Sequence, residues 1–269
     1  MKFGIKGLLA TAVAASALVL AGCGDKQDNA NKIKVGVMAG AEAQVAEVAA
    51  KVAKEKYGLE VELVTFSDYV TPNAALDDGS IDVNAFQHKP YLDQQIKDRG
   101  YKLSIAGNTF VYPIAGYSKK VKSVDEIIDG DRIAVPNDPT NLGRSLLLLE
   151  QQGIIKLREG VGLLATVRDI TENPKNVTLV ELDAAQLPRS LDDVTLSVIN
   201  TTYASSIKLT PQKDGIFVED KESPYVNLVV AREDNVNAEN VQNFIKSYQT
   251  EEVYSAAYKI FQGGVVKGW

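Results

Sequence analysis

The chain has 269 residues, of which 45% are hydrophobic, 24% charged and 7% aromatic, which is a globular composition and not that of a disordered or many-spanning membrane protein. A single Cys and a single His exclude a structural zinc site, a disulfide scaffold and a Cys–Cys redox pair. The formal charge of −6 counts against a nucleic-acid partner, because phosphates call for a basic surface.

Lys2 and Lys6 precede an apolar run, Gly7 to Ala21, that is too short to span a bilayer as a helix and reads as a secretory signal. The run ends in Leu20-Ala21-Gly22-Cys23, which resembles the bacterial lipobox, where a peptidase cuts before the Cys and the Cys is lipidated. Residues 1–22 are then a lipoprotein signal peptide and Cys23 is the lipidation site. An ordinary signal peptide with a chance Cys is the other reading. Each buried acyl CH₂ contributes about 0.8 kcal/mol, so several chains hold a protein on its membrane. Residues 23–32 are polar and read as a tether.

From Ile33 strands and helices alternate. Ile33 to Gly40 is a buried strand running into a glycine turn, and Glu42 to Tyr57 a helix with Val45, Val48, Ala49, Val52 and Ala53 on one stripe. Gly58 ends it, and Leu59 to Phe66 is the next strand. That order implies a parallel pair and an α/β fold. Ser123 and Glu126 have capping-box spacing before a short helix. Arg132 to Pro136 is a strand, followed by a helix from Asn141 to Gln152. Strands are expected at Val177 to Leu182, Leu196 to Asn200 and Tyr225 to Ala231. Asn237 should cap a helix through Tyr248, and Glu251 to Phe261 should form the last. Pro113 and Pro224 each sit in an apolar extended run, which suits crossing strands. Two crossings would build one lobe from 33–112 with 228–269 and a second from 113–227, with ligand in the cleft between them.

Three clusters carry the chemistry. In Pro136 to Glu150 a strand ends and a helix begins with Asn141 and Arg144 three apart on one face. A helix N-terminus attracts anions, and a free Arg fork can grip a carboxylate in bidentate fashion. An Arg in a first turn opposes the helix dipole, which points to a ligand role that would leave unliganded stability unchanged on its removal. A surface Arg beside a capping Asn is the alternative. The second cluster is Phe86, His88 and Tyr91 with Tyr69 upstream, an aromatic-lined pocket or the packing around a structural His. The third is Asn200, at the carboxyl end of an apolar strand where α/β ligands bind, or simply the cap of the next helix.

NAFQHKPYLDQQ, NTFVYPIAGYSKK, IAVPNDPTNLGRSLLLLE, QLPRSLDD, VINTTYAS and DKESPYVNLVV together resemble the NlpA-type methionine-binding lipoproteins, from Ile33 to Trp269. The resemblance implies a two-lobed periplasmic-binding-protein-like fold (type II) that captures methionine and hands it to the permease and ATPase subunits of an ABC importer. It implies that Arg144 holds the α-carboxylate beside Asn141, that Asn200 and Asn227 hold the head group, and that Tyr69, Phe86, His88 and Tyr91 enclose the thioether. It also implies a lipid-anchored monomer facing the periplasm or cell exterior, with no cofactor, no metal and no catalysis. The same scaffold could take a dipeptide or a methionine derivative. A lipid-anchored enzyme is the remaining reading, against which stand the lack of a G-x-S-x-G elbow and a His without a nucleophile beside it.

Overall fold

The computed structural model describes residues 31–220 and 223–269. The expected signal peptide and Cys23 lie outside the described residues. β1 (Lys32–Met38), α1 (Ala41–Tyr57) and β2 (Glu60–Phe66) form the expected parallel unit, in register from Lys32 opposite Glu60 to Met38 opposite Phe66. Val45, Ala46, Ala49, Val52 and Ala53 recur at helical spacing on α1 and are all buried. Gly58 ends the helix with a φ of 64°, and its N–H closes on the Lys54 carbonyl. α2 (Thr71–Asp77), β3 (Val83–His88), α3 (Lys89–Arg99) and β4 (Leu103–Val111) complete the first passage.

The middle of the chain holds β5 (Ala115–Tyr117), β6 (Arg132–Pro136), α4 (Pro139–Gln151) and the short pair β7 (Lys156–Leu157) and β8 (Ile170–Glu172). It continues through β9 (Thr178–Leu182), α5 (Leu187–Ser190), β10 (Leu196–Ile199), α6 (Thr201–Ser206), α7 (Pro211–Asp214) and β11 (Phe217–Val218). β12 (Val226–Arg232), α8 (Glu239–Tyr248), α9 (Glu251–Ile260) and β13 (Val266–Lys267) close the chain.

These elements make two α/β lobes. The first sheet has strand order β13-β4-β12-β3-β1-β2, and the second β11-β5-β10-β6-β9. β12 enters the first sheet antiparallel between β3 and β4. The chain leaves that sheet after Val111 and joins the second at Ala115, so Tyr112 to Ile114 is one crossing. It returns between Val218 and Val226. Val226 already pairs with Val111 and Asn227 with His88, two residues before the expected boundary, because the ladder with β3 and β4 begins there. Lys32, expected in the tether, is likewise paired in β1. Each lobe has its own apolar core, and a further cluster packs Met38, Phe86 and Tyr91 of the first against Leu187 and Tyr203 of the second.

Local capping differs from the sequence expectation in three places. Ser123 makes no cap bond, because Glu126 Oε2 accepts from the Lys122 N–H at 2.8 Å and only a single tight turn forms. The closed capping box is at Thr166 and Asp169. Asn237 does not cap α8, whose N-cap is Ala238. α4 starts at Pro139, two residues earlier than expected, because Asp138 is the cap and Pro is well suited to a first turn.

Candidate functional site

β3 supplies Phe86 and His88, which lie two apart and so share one face of the strand. The strand runs directly into α3, with His88 as its N-cap: Nδ1 accepts the Tyr91 N–H at 3.2 Å. That bond brings Tyr91 beside Phe86, with ring centres 6.0 Å apart, and the Tyr91 hydroxyl donates to the Tyr69 carbonyl at 2.8 Å. Tyr69 faces both rings, at 5.8 Å from Phe86 and 6.2 Å from Tyr91. Three aromatic rings thus form one wall of the cleft. Asn227, from β12, is held at the same wall by donation from Nδ2 to the Phe86 carbonyl at 3.0 Å.

The second lobe contributes the polar wall. Asp138 Oδ1 accepts the Asn141 N–H and Oδ2 accepts Asn141 Nδ2, both at 2.9 Å, which fixes the first turn of α4 and the orientation of the Asn141 amide. Asn200 stands in the N-cap position of α6 and makes no side-chain cap bond. Its Nδ2 donates to Asn141 Oδ1 at 2.9 Å instead. Asn200 therefore caps α6 by its backbone and not by its side chain, whose Oδ1 is buried without a hydrogen-bond partner among the described residues. A buried acceptor in that condition is costly unless a donor is supplied to it.

Between the walls lies a small cavity of about 20 Å³, room for about one water molecule. All eight residues singled out by sequence line it: Tyr69, Phe86, His88, Tyr91, Asn141, Arg144, Asn200 and Asn227. Tyr112, Thr201 and Thr202 line it as well and were missed. Their signal was position: Tyr112 precedes the Pro113 crossing, and the two threonines follow Asn200.

His88 is held at both nitrogens. Since Nδ1 accepts from Tyr91, the ring proton sits on Nε2, which faces Asn141 Oδ1 at 3.3 Å. Burial, aided by the positive charge of Arg144, pushes its pKa down to about 3, so the ring is neutral. Asn141 accepts from both His88 and Asn200 and donates to Asp138, so its amide organises the polar wall.

Arg144 departs from expectation. The fork expected to be free is bidentate to Glu219: Nε donates to Oε1 at 2.8 Å and Nη2 to Oε2. Nη2 also donates to the Tyr112 carbonyl at 3.0 Å, and the guanidinium carbon lies 4.3 Å from the centre of the Tyr225 ring. No hydrogen bond from Nη1 is made among the described residues, and Arg144 lines the cavity. Arg144 is 4% exposed and Glu219 12%, so this is a buried ion pair, and the expectation that Arg144 is irrelevant to unliganded stability does not hold. The sequence reading missed Glu219 because it is remote in the chain and carries no local motif.

Direct contacts join the lobes around the cavity. Tyr69 and Tyr203 pack with centres 4.9 Å apart, and the Thr202 hydroxyl donates to the buried Glu42 carboxyl at the start of α1. Burial pushes the Glu42 pKa up to about 8, an effect that the Thr202 hydrogen bond only partly offsets. The cleft is therefore closed, with one carboxyl group buried across it.

No group of three or more residues that could hold a metal ion is present among the described residues. Nor is any helix among them long and apolar enough to cross a membrane.

Known proteins with the same architecture are close in sequence. A probable D-methionine-binding lipoprotein MetQ of Vibrio cholerae serotype O1 is 80% identical over 269 residues, the whole of both chains. A crystal structure of a methionine-binding protein, MetQ, shares 73% identity and a TM-score of 0.89, covering 90% of this chain and 99% of that one. A nutrient-binding protein from Burkholderia cenocepacia, solved bound to methionine, shares 51% identity with a TM-score of 0.86, covering 88% of this chain and all of the other. The family model for NlpA lipoproteins matches residues 33–269, from the start of the first sheet to the last residue, and the chain belongs to that family.

Proposed function

We propose that this protein captures methionine in the cleft and delivers it to the permease and ATPase subunits of an ABC importer, as a monomer lipid-anchored through Cys23 on the periplasmic or outer side of its membrane. The signal peptide 1–22 is removed, the tether 23–31 spaces the protein from the membrane, and the lobes 32–112 with 226–269 and 113–225 close on the ligand. The observation that carries this reading is the two-ended cavity, aromatic at Tyr69, Phe86 and Tyr91 and polar at Arg144, Asn200 and Asn227. The aromatic end suits a thioether side chain once the lobes part to admit it, and its burial there contributes about 2 kcal/mol and each sulfur–aromatic contact about 0.3–1.5 kcal/mol. At the other end Arg144 Nη1 takes the carboxylate, and the partnerless Asn200 Oδ1 accepts from the ammonium. The protein returns its ligand unchanged: His88, the sole His of the sequence, is neutral and held at both ring nitrogens, with no nucleophile beside it.

Isothermal calorimetry on the ligand-stripped protein tests this. Each methylene lost from an apolar slot costs about 1–3 kcal/mol, so alanine should bind at least about a hundredfold more weakly than methionine. Alanine or glutamate binding within threefold of methionine would refute the assignment.

A further inference from the structure

Arg144 does not stand free at the head-group end. Glu219 takes Nε and Nη2, the Tyr112 carbonyl takes Nη2 again, and Tyr225 stacks on the guanidinium face. Those partners come from the two segments that connect the lobes. Tyr112 lies on the outgoing crossing, while Glu219 and Tyr225 lie on the return. Glu219 is itself tied to the outgoing crossing, since its N–H donates to the Ile114 carbonyl at 2.9 Å and its Oε2 faces the Ile114 N–H at 3.4 Å. The guanidinium cannot turn without breaking several of these contacts, and Nη1 is the edge that remains. The pair also has a charge consequence. Arg144 and Glu219 sum to zero in a site closed from water, where an uncompensated charge is expensive.

We propose that Glu219 is a positioning and specificity-determining residue: it fixes Arg144 against both crossings and makes the head-group end electrically neutral, so that the cleft selects ligands carrying both an ammonium and a carboxylate. This rests on the reading of the cleft as an amino-acid site. A ligand with a carboxylate alone would leave the closed site with a net negative charge and Asn200 Oδ1 without its donor. A ligand with both groups leaves it balanced.

The test compares methionine with its deamino analogue, 4-(methylthio)butanoate, which keeps the thioether and the carboxylate. Both dissociation constants are measured by calorimetry for wild type, Glu219→Gln and Glu219→Asp. Glu219→Gln leaves Arg144 uncompensated, so the preference for methionine over the deamino analogue should shrink by at least about tenfold, as the loss of a full unit charge from a buried site implies. Glu219→Asp keeps the charge but shortens the reach. It should weaken both ligands while holding their ratio within threefold of wild type. A merely structural Glu219 would lower the melting temperature and weaken both ligands together, and a Gln variant with an unchanged ratio would overturn the inference. So would an Asp variant whose ratio shifts as far as that of Gln. If wild type fails to bind methionine, the proposed function falls and this inference with it. If wild type binds and only the ratio is unmoved, the inference alone falls.

Discussion

Replacing Arg144 by Ala tests the buried pair directly. The substitution removes Nε from Glu219 Oε1 and Nη2 from Oε2, takes the donor from the Tyr112 carbonyl, and uncovers one face of Tyr225. Glu219 is left 12% exposed in the parent geometry with only the Ile114 N–H nearby, at 3.4 Å. Stranding one member of a buried pair costs about 3–5 kcal/mol, and the partial exposure of Glu219 places this case near about 3. For a domain of this size about 1 kcal/mol moves the midpoint by roughly 2–4 °C, so the unliganded protein should melt roughly 6–12 °C lower. The double variant Arg144→Ala with Glu219→Gln no longer strands a charge and should recover at least about 1 kcal/mol. Urea unfolding of the ligand-free proteins at pH 7 measures both differences. Methionine should raise the wild-type midpoint and leave that of Arg144→Ala unmoved. The reasoning is refuted if Arg144→Ala is as stable as wild type, or if the double variant is no more stable than the single one.

Gly143, on the packed face of α4, meets the loop after β7: a Cβ there would lie 2.2 Å from the Leu163 carbonyl oxygen and 2.9 Å from its carbon. Backbone cannot yield as a side chain does, so Gly143→Ala should cost about 1–3 kcal/mol and displace Asn141 and Arg144, and calorimetry should find methionine binding at least about tenfold weaker. Wild-type affinity and melting temperature in that variant would contradict the close packing. Glu42 makes stability depend on pH. Its folded pKa of about 8 lies above the ordinary 4.5, so its contribution is complete below about pH 4.5 and is lost as pH rises toward 8, by up to about 1.4 kcal/mol per unit. Glu42→Gln should remove that slope, and urea midpoints for the two proteins that run parallel between pH 5 and 8 would exclude a buried Glu42 that takes up a proton.

Local chemistry carries far in this sequence. The Ala and Val stripe of α1, Gly58 at its end and the apolar run Ile133 to Pro136 are short-range patterns, and each stands where the residues imply. All eight candidate residues line one cavity; His88, Asn141 and Asn200 sit at a strand end or helix start, whereas Asn227 was named only through the family resemblance. β3 was not recognised as a strand because three of its six buried residues, Asn84, Gln87 and His88, are polar, so its sequence does not read as an apolar run. The insertion of β12 between β3 and β4 joins residues well over a hundred positions apart, and no local pattern encodes that pairing. The same limit explains the partners within the site. Sequence showed that Arg144 and Asn141 share a helix face, whereas only the folded chain decides that Glu219 fills the Arg144 fork, that Asn141 faces His88 and Asn200, and that Glu42 meets Thr202. A charge's partner is set by which side chains the two crossings bring within hydrogen-bond reach, and that proximity is a property of closure between lobes rather than of neighbours along the chain.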